Sequence, residues 1–341
     1  MRYLAPYLAD QGWEVTVYGR KGAIATVGPR DERVTARLTS GLETRSLSTL
    51  SYGLTASLAA SRNRPDVVLM MNVANGYFLP FLRARGIPTV VNVDGIEWER
   101  EKWGRAARAM FRNGARATAK FASELVADSH AIGDYWREHY SRDGKFIPYG
   151  GEAPSTELPV EEGLEHGKYV LFVARFVPEN SFHEFMAAVP QMAEESDVVI
   201  VGSSGYGGDL DKRAADLARD YANVRWLGHV SDDVRIQSLW QHCGAYFHGH
   251  SVGGTNPALV QAMACGAPVV ARDTVYNREV LGDAGVFVPA RPDAIADALR
   301  DVLKVDQTAR VARARKRIDQ TYNWEAVCSS YERLLTETAG R

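Results

Sequence analysis

Short apolar runs recur along the chain, and each is separated from the next by a segment of helical character. Such runs have the length of buried strands, and their apolar character is typical of strands covered on both faces. Helices between them indicate βαβ units, parallel sheets and the α/β class. The predicted strands are 14–18, 67–71, 88–93, 124–128, 169–173, 198–202, 224–228, 245–247, 268–271 and 285–288.

The length of 341 residues exceeds the usual size of one hydrophobic core, so two domains are expected. A Gly-, Pro- and acid-rich stretch from Gly150 to Gly167 is typical of a linker. We predict a Rossmann-like domain over 1–150, a linker over 151–167, a second Rossmann-like domain over 168–320 and a last segment over 321–341. Ligands of such sheets lie beyond the carboxyl ends of the strands, which makes the loops after the strands the candidate sites.

Composition excludes several classes of protein. A formal net charge of -2 provides no overall field for binding nucleic acid. No apolar run reaches membrane-spanning length and no leader is seen at the N-terminus, so a cytoplasmic protein is expected. Cys243, Cys265 and Cys328 stand in apolar contexts. Zinc bound by Cys243 and Cys265 with the two intervening histidines was weighed, but their spacing matches no usual metal pattern, so buried thiols and no metal are predicted.

One predicted helix carries arginines at three- and four-residue spacing, namely Arg105, Arg108, Arg112 and Arg116. Residues at this spacing share one helix face. A solvated face is the simpler interpretation, and contact with anionic lipid or phosphate is the alternative, which would make the protein peripheral to a membrane.

The stretch from His248 to Val270 has a strand before it and a strand at its end. Between them lie a Gly-Gly turn at Gly253 and a helix with Pro257 at its first position, ending at Gly266. The backbone N–H groups of such a loop and the positive end of the helix dipole suit an anion. An ordinary strand-loop-helix connection is the alternative.

Three more loops follow strands of the second domain. Arg175 stands where a guanidinium can fork onto a diphosphate, and Asn180 and Ser181 can donate from the helix start that follows. The glycine-rich loop from Gly202 and the turn Gly228-His229-Val230 are weaker signals. A surface arginine and plain turns are the alternatives for these positions.

In combination these motifs resemble a known family. They are Ala174-Arg175-Phe176-Val177-Pro178-Glu179, Gly228-His229-Val230, and His250-Ser251 through Gln261-Ala262-Met263-Ala264-Cys265-Gly266-Ala267-Pro268. Their order resembles the retaining GT-B glycosyltransferases of the glycogen-synthase-like superfamily, family four type. The segments Asn92-Val93-Asp94-Gly95-Ile96-Glu97-Trp98 and Gly253-Gly254-Thr255-Asn256-Pro257 are similar to a bacterial rhamnosyltransferase-like branch.

The resemblance implies a GT-B fold, in which two doubly wound Rossmann-like domains face each other across a cleft and the final helix crosses back to the first domain. In the family an Arg and a Lys grip the donor diphosphate, and two Glu residues contact the sugar and the ribose. Here Arg175 matches the Arg, Asn180 replaces the Lys, and Gly253 and Gln261 replace the two Glu residues. The donor-binding residues implied are Arg175, Asn180, Gly202, Gly228, Val230, Ser251, Gly253, Gly254, Thr255, Asn256 and Gln261.

Two catalytic residues are implied, Arg175 on the donor side and Asp94 on the acceptor side. Asp94, Glu97 and Trp98 follow a strand of the first domain and are the candidate acceptor-side residues, with a polar loop residue as the alternative for Asp94. The mechanism implied retains the anomeric configuration and uses neither a metal, a cofactor nor a protein nucleophile.

Family members have a first strand and a Gly-Gly loop before the helix that here starts near Met1. The sequence shows no such strand. Either the natural chain starts further upstream, or this form of the chain has impaired catalysis.

The predicted function is transfer of a hexose or deoxyhexose, rhamnose-like, from a nucleotide diphosphate sugar to a glycan or lipid-linked glycan. The predicted location is the cytoplasm or the inner face of the membrane. A non-catalytic sugar-nucleotide-binding or assembly protein is the alternative, because the lysine and both glutamates are replaced. A sugar-nucleotide epimerase fits the loop motifs less well.

Overall fold

The structure is a computed structural model that describes residues 1–20, 31–42, 48–93, 95–100, 103–205 and 207–340. The chain divides into two compact units. Unit 1 is Met1–Pro148 with Trp324–Arg341, and unit 2 is Tyr149–Asn323. Each unit has parallel sheets flanked by helices, which confirms the α/β class.

Two parallel sheets are seen in the described residues of unit 1. Its elements are α1 (Leu4–Asp10), β1 (Val15–Gly19), β2 (Val34–Leu38), α2 (Ser48–Asn63), β3 (Val68–Met71), α3 (Leu79–Ala84), β4 (Thr89–Asn92), α4 (Arg105–Phe121), β5 (Glu124–Ala127), α5 (His130–Tyr140) and β6 (Lys145–Phe146). β1 pairs with β2, and the other strands follow the order β3-β4-β5-β6. β2 and β6 are absent from the sequence prediction. β2 is mostly exposed and β6 has only two residues, so neither shows the buried apolar run that marks the other strands.

The last helix of the chain belongs to unit 1. The last helix of unit 2 is α12 (Thr308–Thr321). The next helix in the chain, α13 (Trp324–Ala339), belongs to unit 1. The ring of Trp324 stacks on Tyr3 with centroids 4.3 Å apart. Tyr331 Oη accepts a 2.8 Å hydrogen bond from Asn92 Nδ2 at the end of β4. The apolar face of α13 therefore covers α1 and the sheet beside it.

Unit 2 is a doubly wound sheet. Its other elements are β7 (Tyr169–Val173), α6 (Phe182–Met192), β8 (Asp197–Val201), α7 (Asp209–Asp220), β9 (Val224–Trp226), α8 (Asp233–His242), β10 (Ala245–His248), α9 (Pro257–Cys265), β11 (Val269–Arg272), α10 (Val275–Leu281), β12 (Val286–Val288) and α11 (Pro292–Lys304). The strand order is β12-β11-β10-β7-β8-β9, with every pairing parallel. From β7 the sheet extends on one side through β8 to β9. The later strands β10, β11 and β12 extend it on the other side.

Stacked aromatic rings fill the core under this sheet. Phe172 on β7 stacks on Phe185 of α6 with centroids 4.5 Å apart, and Phe247 of β10 lies 5.5 Å from Phe185. All three side chains are buried. Because β7 and β10 are adjacent central strands, this packing fixes the position at which their two loops emerge.

The segment 151–167, which composition marks as a linker, lies along α8. Ser238 Oγ donates to the Pro159 carbonyl at 2.6 Å, and Leu158 N donates to Gln241 Oε1 at 2.8 Å. Arg235 forms an ion pair with Glu161. These contacts hold the segment as part of unit 2.

Candidate active site

The strand order of unit 2 reverses between β7 and β10. At such a reversal the loops after two neighbouring strands leave in opposite directions and open a crevice beyond the carboxyl ends of the strands. The loop after β7 begins at Ala174, and the loop after β10 begins at Gly249. Most of the donor-side residues predicted from the sequence lie in these two loops and in those after β8 and β9.

The loops after β7 and β10 are joined by hydrogen bonds. The backbone N–H and the hydroxyl of Ser251 both donate to the carbonyl of Glu179, at 2.9 Å and 3.0 Å. Ser181 Oγ donates to the carbonyl of Gly249 at 2.8 Å. A Cβ on residue 249 would collide with the carbonyl oxygen of Asn180, so glycine is required for this approach. The two loops therefore form one rigid edge.

Asn180, predicted to stand in place of the family's lysine, holds the loop together through its side-chain amide. Its Nδ2 donates to the carbonyl of Arg175 at 2.8 Å, and its Oδ1 lies 2.7 Å from His250 Nδ1. Asn180 is buried, whereas Arg175 is exposed. Because both groups of the Asn180 amide bind protein atoms, Arg175 is the charged donor-side residue available in this loop.

The loop after β8 is fitted against the loop after β7. Gly202 has φ of 130°, and a Cβ there would collide with the carbonyl oxygen of Ala174. Its N–H donates to the carbonyl of Gly228 at 2.7 Å. Gly202 and Gly228 thus lie together at the carboxyl edge of the sheet, and Val230 follows, half-buried. Close backbone packing is therefore a sufficient reason for glycine at position 202, without a contact to a ligand.

Helix α9 begins with a capped first turn. The side chain of Asn256 accepts from Ala258 N at 2.9 Å, and its carbonyl accepts from Leu259 N and Val260 N. Pro257 has no N–H group. The first-turn donors are therefore occupied, and among the described residues the backbone N–H groups of buried Gly253 and Gly254, which precede the helix, remain available to a ligand.

Gln261 occupies the position of the family's second glutamate, and its amide binds the main chain. Nε2 donates to the carbonyl of Glu152 at 2.6 Å, and Oε1 accepts from Glu152 N at 3.2 Å. This contact ties α9 to the start of the segment along α8. A ribose hydroxyl would have to compete with it.

Two buried titratable groups beside these loops escaped the sequence prediction. In the described part of the chain neither carboxylate oxygen of Glu179 has a hydrogen-bond partner, although the residue is only 6% exposed. His248 Nδ1 lies 3.1 Å from Tyr246 Oη, and its Nε2 is likewise unpartnered. Burial, assisted by nearby His250, lowers the pKa of His248 to about 3, so its ring is neutral. The signal that could have found Glu179 is its place between a strand end and a helix start.

The residues predicted to lie on the acceptor side belong to unit 1 and follow β4. Asp94 lies outside the described residues. Glu97 forms a 2.8 Å ion pair with Arg100 and accepts a 3.3 Å hydrogen bond from Trp103 Nε1. Trp98 is buried and its Nε1 donates to Tyr135 Oη at 3.3 Å. Glu97 and Trp98 therefore shape this loop through contacts within unit 1.

The cysteines are buried thiols. Burial raises the pKa of Cys265 and of Cys328 to about 11 each, and that of Cys243 further. Over the described ranges, no group of three or more His, Cys, Asp or Glu side chains is arranged to hold a metal ion. Among the helices that the structure describes, none combines the length and the apolar composition needed to cross a membrane.

A chain that contains a doubly wound sheet with joined loops at its reversal point, and also a second parallel α/β unit, belongs to the class of two-unit Rossmann-like proteins. Two family models match the chain: "Glycosyl transferase 4-like domain" over residues 1–150 and "Glycosyl transferases group 1" over residues 167–305. Together they cover most of the chain, which belongs to this glycosyltransferase superfamily.

Comparison with individual proteins agrees. The chain is 33% identical over 235 residues to the phosphatidyl-myo-inositol mannosyltransferase of Mycolicibacterium smegmatis, covering 64% of this chain and 59% of that relative. The structure matches sucrose-phosphate synthase from Thermosynechococcus elongatus with a TM-score of 0.78 and 18% identity, over 98% of this chain and 92% of the other. It matches Anabaena HepE in complex with UDP and glucose with a TM-score of 0.70 and 18% identity, over 89% and 86% of the two chains. The predicted GT-B fold is thereby confirmed.

Proposed function

We propose that this protein transfers a hexose from a nucleoside diphosphate sugar to a hydroxyl group of a glycan or lipid-linked glycan. The carrying observation is the joined edge at the β7–β10 reversal, where the Asn180 amide binds both the main chain of exposed Arg175 and the ring of His250 in the loop that precedes α9. The relative from M. smegmatis is a mannosyltransferase, which supports mannose over the rhamnose-like donor predicted from the branch resemblance.

On the donor side, Arg175 supplies the positive charge for the diphosphate. A guanidinium can bind two phosphate oxygens at once, and such charge-assisted contacts are stronger than neutral ones. For Gly253 and Gly254 the described structure shows no intramolecular acceptor for the backbone N–H groups, which makes them donors for the sugar or the β-phosphate. We propose that these groups stabilise the departing diphosphate.

The stereochemical course that we propose is retention, without a metal ion and without a protein nucleophile. In this course the departing β-phosphate accepts the proton of the acceptor hydroxyl on the face from which it leaves. Asp94 remains the proposed acceptor-side catalytic residue, with Glu97 and Trp98 shaping its loop. The reaction is proposed to take place in the cytoplasm or at the inner face of the membrane, where the acceptor is presented.

A second candidate function is a sugar-nucleotide-binding protein without transferase activity. The observation that favours it is the pairing of Gln261 with the main chain of Glu152, together with the loss of carboxylates at positions 253 and 261. In that case the crevice would bind the nucleotide sugar but lack the groups that weaken its glycosidic bond.

A two-stage experiment separates the two functions. Thermal shifts with GDP-mannose, UDP-glucose and dTDP-rhamnose first identify a donor, because a ligand of the native state raises its stability by RT ln(1 + [L]/Kd). Release of nucleoside diphosphate is then measured with glycan and lipid-linked acceptors, with and without EDTA, and NMR assigns the anomer of the product. Binding with acceptor-dependent, EDTA-resistant release and a retained anomer supports the transferase. Binding without release supports the binding protein, and no shift with any sugar nucleotide overturns both.

A further inference from the structure

The exposed face of α4 carries an uncommon concentration of positive charge. Four arginines at three- and four-residue spacing line a surface groove of about 480 Å³. The lining residues are Arg105, Arg108, Ala109, Arg112, Asn113 and Arg116. From the first arginine to the last, the face extends about 17 Å along the helix axis at 1.5 Å per residue. We call these six residues the arginine groove.

The charges of the arginine groove are not neutralised within the described part of the chain. Its arginines form no ion pair there, and their hydrogen bonds go from Arg108 to the carbonyl of Arg100 at 3.4 Å and from Arg116 to Asn113 Oδ1 at 2.9 Å. Exposed arginines on other helices, such as Arg137 and Arg219, each pair with two aspartates. Like charges at helical spacing destabilise a helix, so these unpaired arginines lower the stability of α4 unless an anion binds them.

One end of the groove touches the acceptor-side loop after β4. Arg108 donates to the carbonyl of Arg100, and Arg100 forms the ion pair with Glu97. The groove is thus linked through two contacts to a residue that follows the carboxyl end of β4.

Tyr140 of α5 contacts the same loop. Burial and nearby Tyr135 raise the pKa of Tyr140, and the positive charges of Arg116 and Arg112 oppose this rise. The ring of Tyr140 meets Trp98 edge-on, with centroids 6.2 Å apart. The segment from Glu97 to Arg100 is thus bordered by Arg108 of the groove and by Tyr140 of α5.

We propose that the arginine groove of α4 is the subsite that binds the phosphate or diphosphate group of the acceptor. This inference rests on the proposed function for the identity of the occupant. The acceptor hydroxyl lies at the loop after β4, and its phosphate lies along α4. One guanidinium can bind two phosphate oxygens at once, and several guanidinium groups along the face can bind different oxygens of a phosphate or diphosphate.

A discrete phosphate fits the groove better than a flat bilayer. Interfacial helices combine basic residues with a broad apolar face that enters the lipid. Here the lining between the arginines is Ala109 and Asn113, one small and one polar. A site lined by four arginines without an apolar insertion surface favours a small anion.

The test is a calorimetric titration of the full chain with inorganic pyrophosphate, which gives the affinity. It is done in the Arg175→Gln background, so that the donor-side arginine does not contribute to binding. The test variant is Arg112→Gln/Arg116→Gln, and the matched control is Arg62→Gln/Arg85→Gln, which removes the same charge from exposed positions of unit 1 outside the groove. Glutamine and arginine have similar helix propensities, so α4 is kept. Sedimentation with vesicles of 30% phosphatidylglycerol in phosphatidylcholine measures bilayer binding in parallel.

We expect the test variant to bind pyrophosphate about tenfold more weakly than the background protein, with the control unchanged. Unchanged pyrophosphate affinity in the test variant overturns the proposal, and so does a loss confined to vesicle binding, which would make the face a bilayer contact. Thermal shifts with sugar nucleotides on the wild-type protein are independent of this result. If no sugar nucleotide binds but the pyrophosphate loss is seen, the phosphate site stands and the proposed transferase function fails.

Discussion

Gln261 donates a hydrogen bond to the main chain of Glu152 through Nε2 and accepts one from it through Oε1, although 109 residues separate the two in sequence. The family's glutamate cannot make both bonds, because a carboxylate accepts hydrogen bonds but does not donate them. The substitution therefore couples α9 to the segment along α8 at the position where relatives are expected to bind a ribose.

Restoring the family residue with Gln261→Glu is expected to lower stability at pH 8. The carboxylate would face the carbonyl oxygen of Glu152, which now accepts a 2.6 Å hydrogen bond. Loss of one hydrogen bond costs about 1 kcal/mol, which corresponds to a fall in Tm of about 2–4 °C. Calorimetry of wild type and variant measures the difference.

Gln241→Glu is the matched control for this substitution. Gln241 accepts a hydrogen bond from Leu158 N through Oε1, a bond that a carboxylate can also accept. Its Tm should stay close to that of the wild type. Equal destabilisation of the two variants would show that charge, and not the lost donor, is responsible.

Removing the guanidinium with Arg175→Ala is expected to weaken binding of the donor by about 1.5–3 kcal/mol. The side chain is exposed, so Tm without ligand should not change. Calorimetric titration with the sugar nucleotide that stabilises the wild type gives the affinity. Arg213→Ala, an exposed arginine on α7, should bind like the wild type. An unchanged affinity of Arg175→Ala would remove this residue from the site.

Adding one methyl group with Gly249→Ala is expected to destabilise unit 2 by about 1–3 kcal/mol. The new Cβ would collide with the carbonyl oxygen of Asn180 and push the two joined loops apart. Gly208→Ala is the control, because a Cβ there meets no atom within 4 Å and its φ is -88°. Urea unfolding of both variants measures the free energies. If Gly249→Ala is as stable as Gly208→Ala, the loops are not rigidly joined.

Stability should fall as the pH is lowered through the acid range, in part because of His248. Its pKa in the folded protein, about 3, lies below the value near 6.5 of an unfolded histidine. Between these values only the unfolded state binds the proton, so stability is fully present above about pH 6.5 and is lost towards pH 3. The maximum slope for one group is about 1.4 kcal/mol per pH unit.

Urea unfolding of the wild type and of His248→Phe at pH 7, 6 and 5 tests this dependence. The variant should lose less free energy of unfolding on acidification, because phenylalanine has no proton to bind. His229→Phe, at an exposed position, should keep the slope of the wild type. Parallel curves for wild type and His248→Phe would contradict a buried neutral histidine.

Much of the secondary structure follows from local sequence. The apolar runs become strands whose bounds differ from the prediction by one or two residues in most cases, and α9 begins at Pro257 and ends before Gly266 as its proline and glycine indicate. These signals are local because capping and backbone preference depend on neighbours in sequence. β2 carries no such signal, since it is an exposed strand.

The sequence by itself determined the α/β class, the superfamily and the loops in which the candidate site lies, because these depend on periodicity and on motifs of adjacent residues. Tertiary structure alone decided which loops are neighbours, how Asn180 and Gln261 use their amides, and which charges stay unpaired along α4. Hydrogen bonds and burial at these positions depend on residues distant in sequence. Their partners are therefore set by the order of strands in the sheet and the packing of helices on it, which no local pattern records.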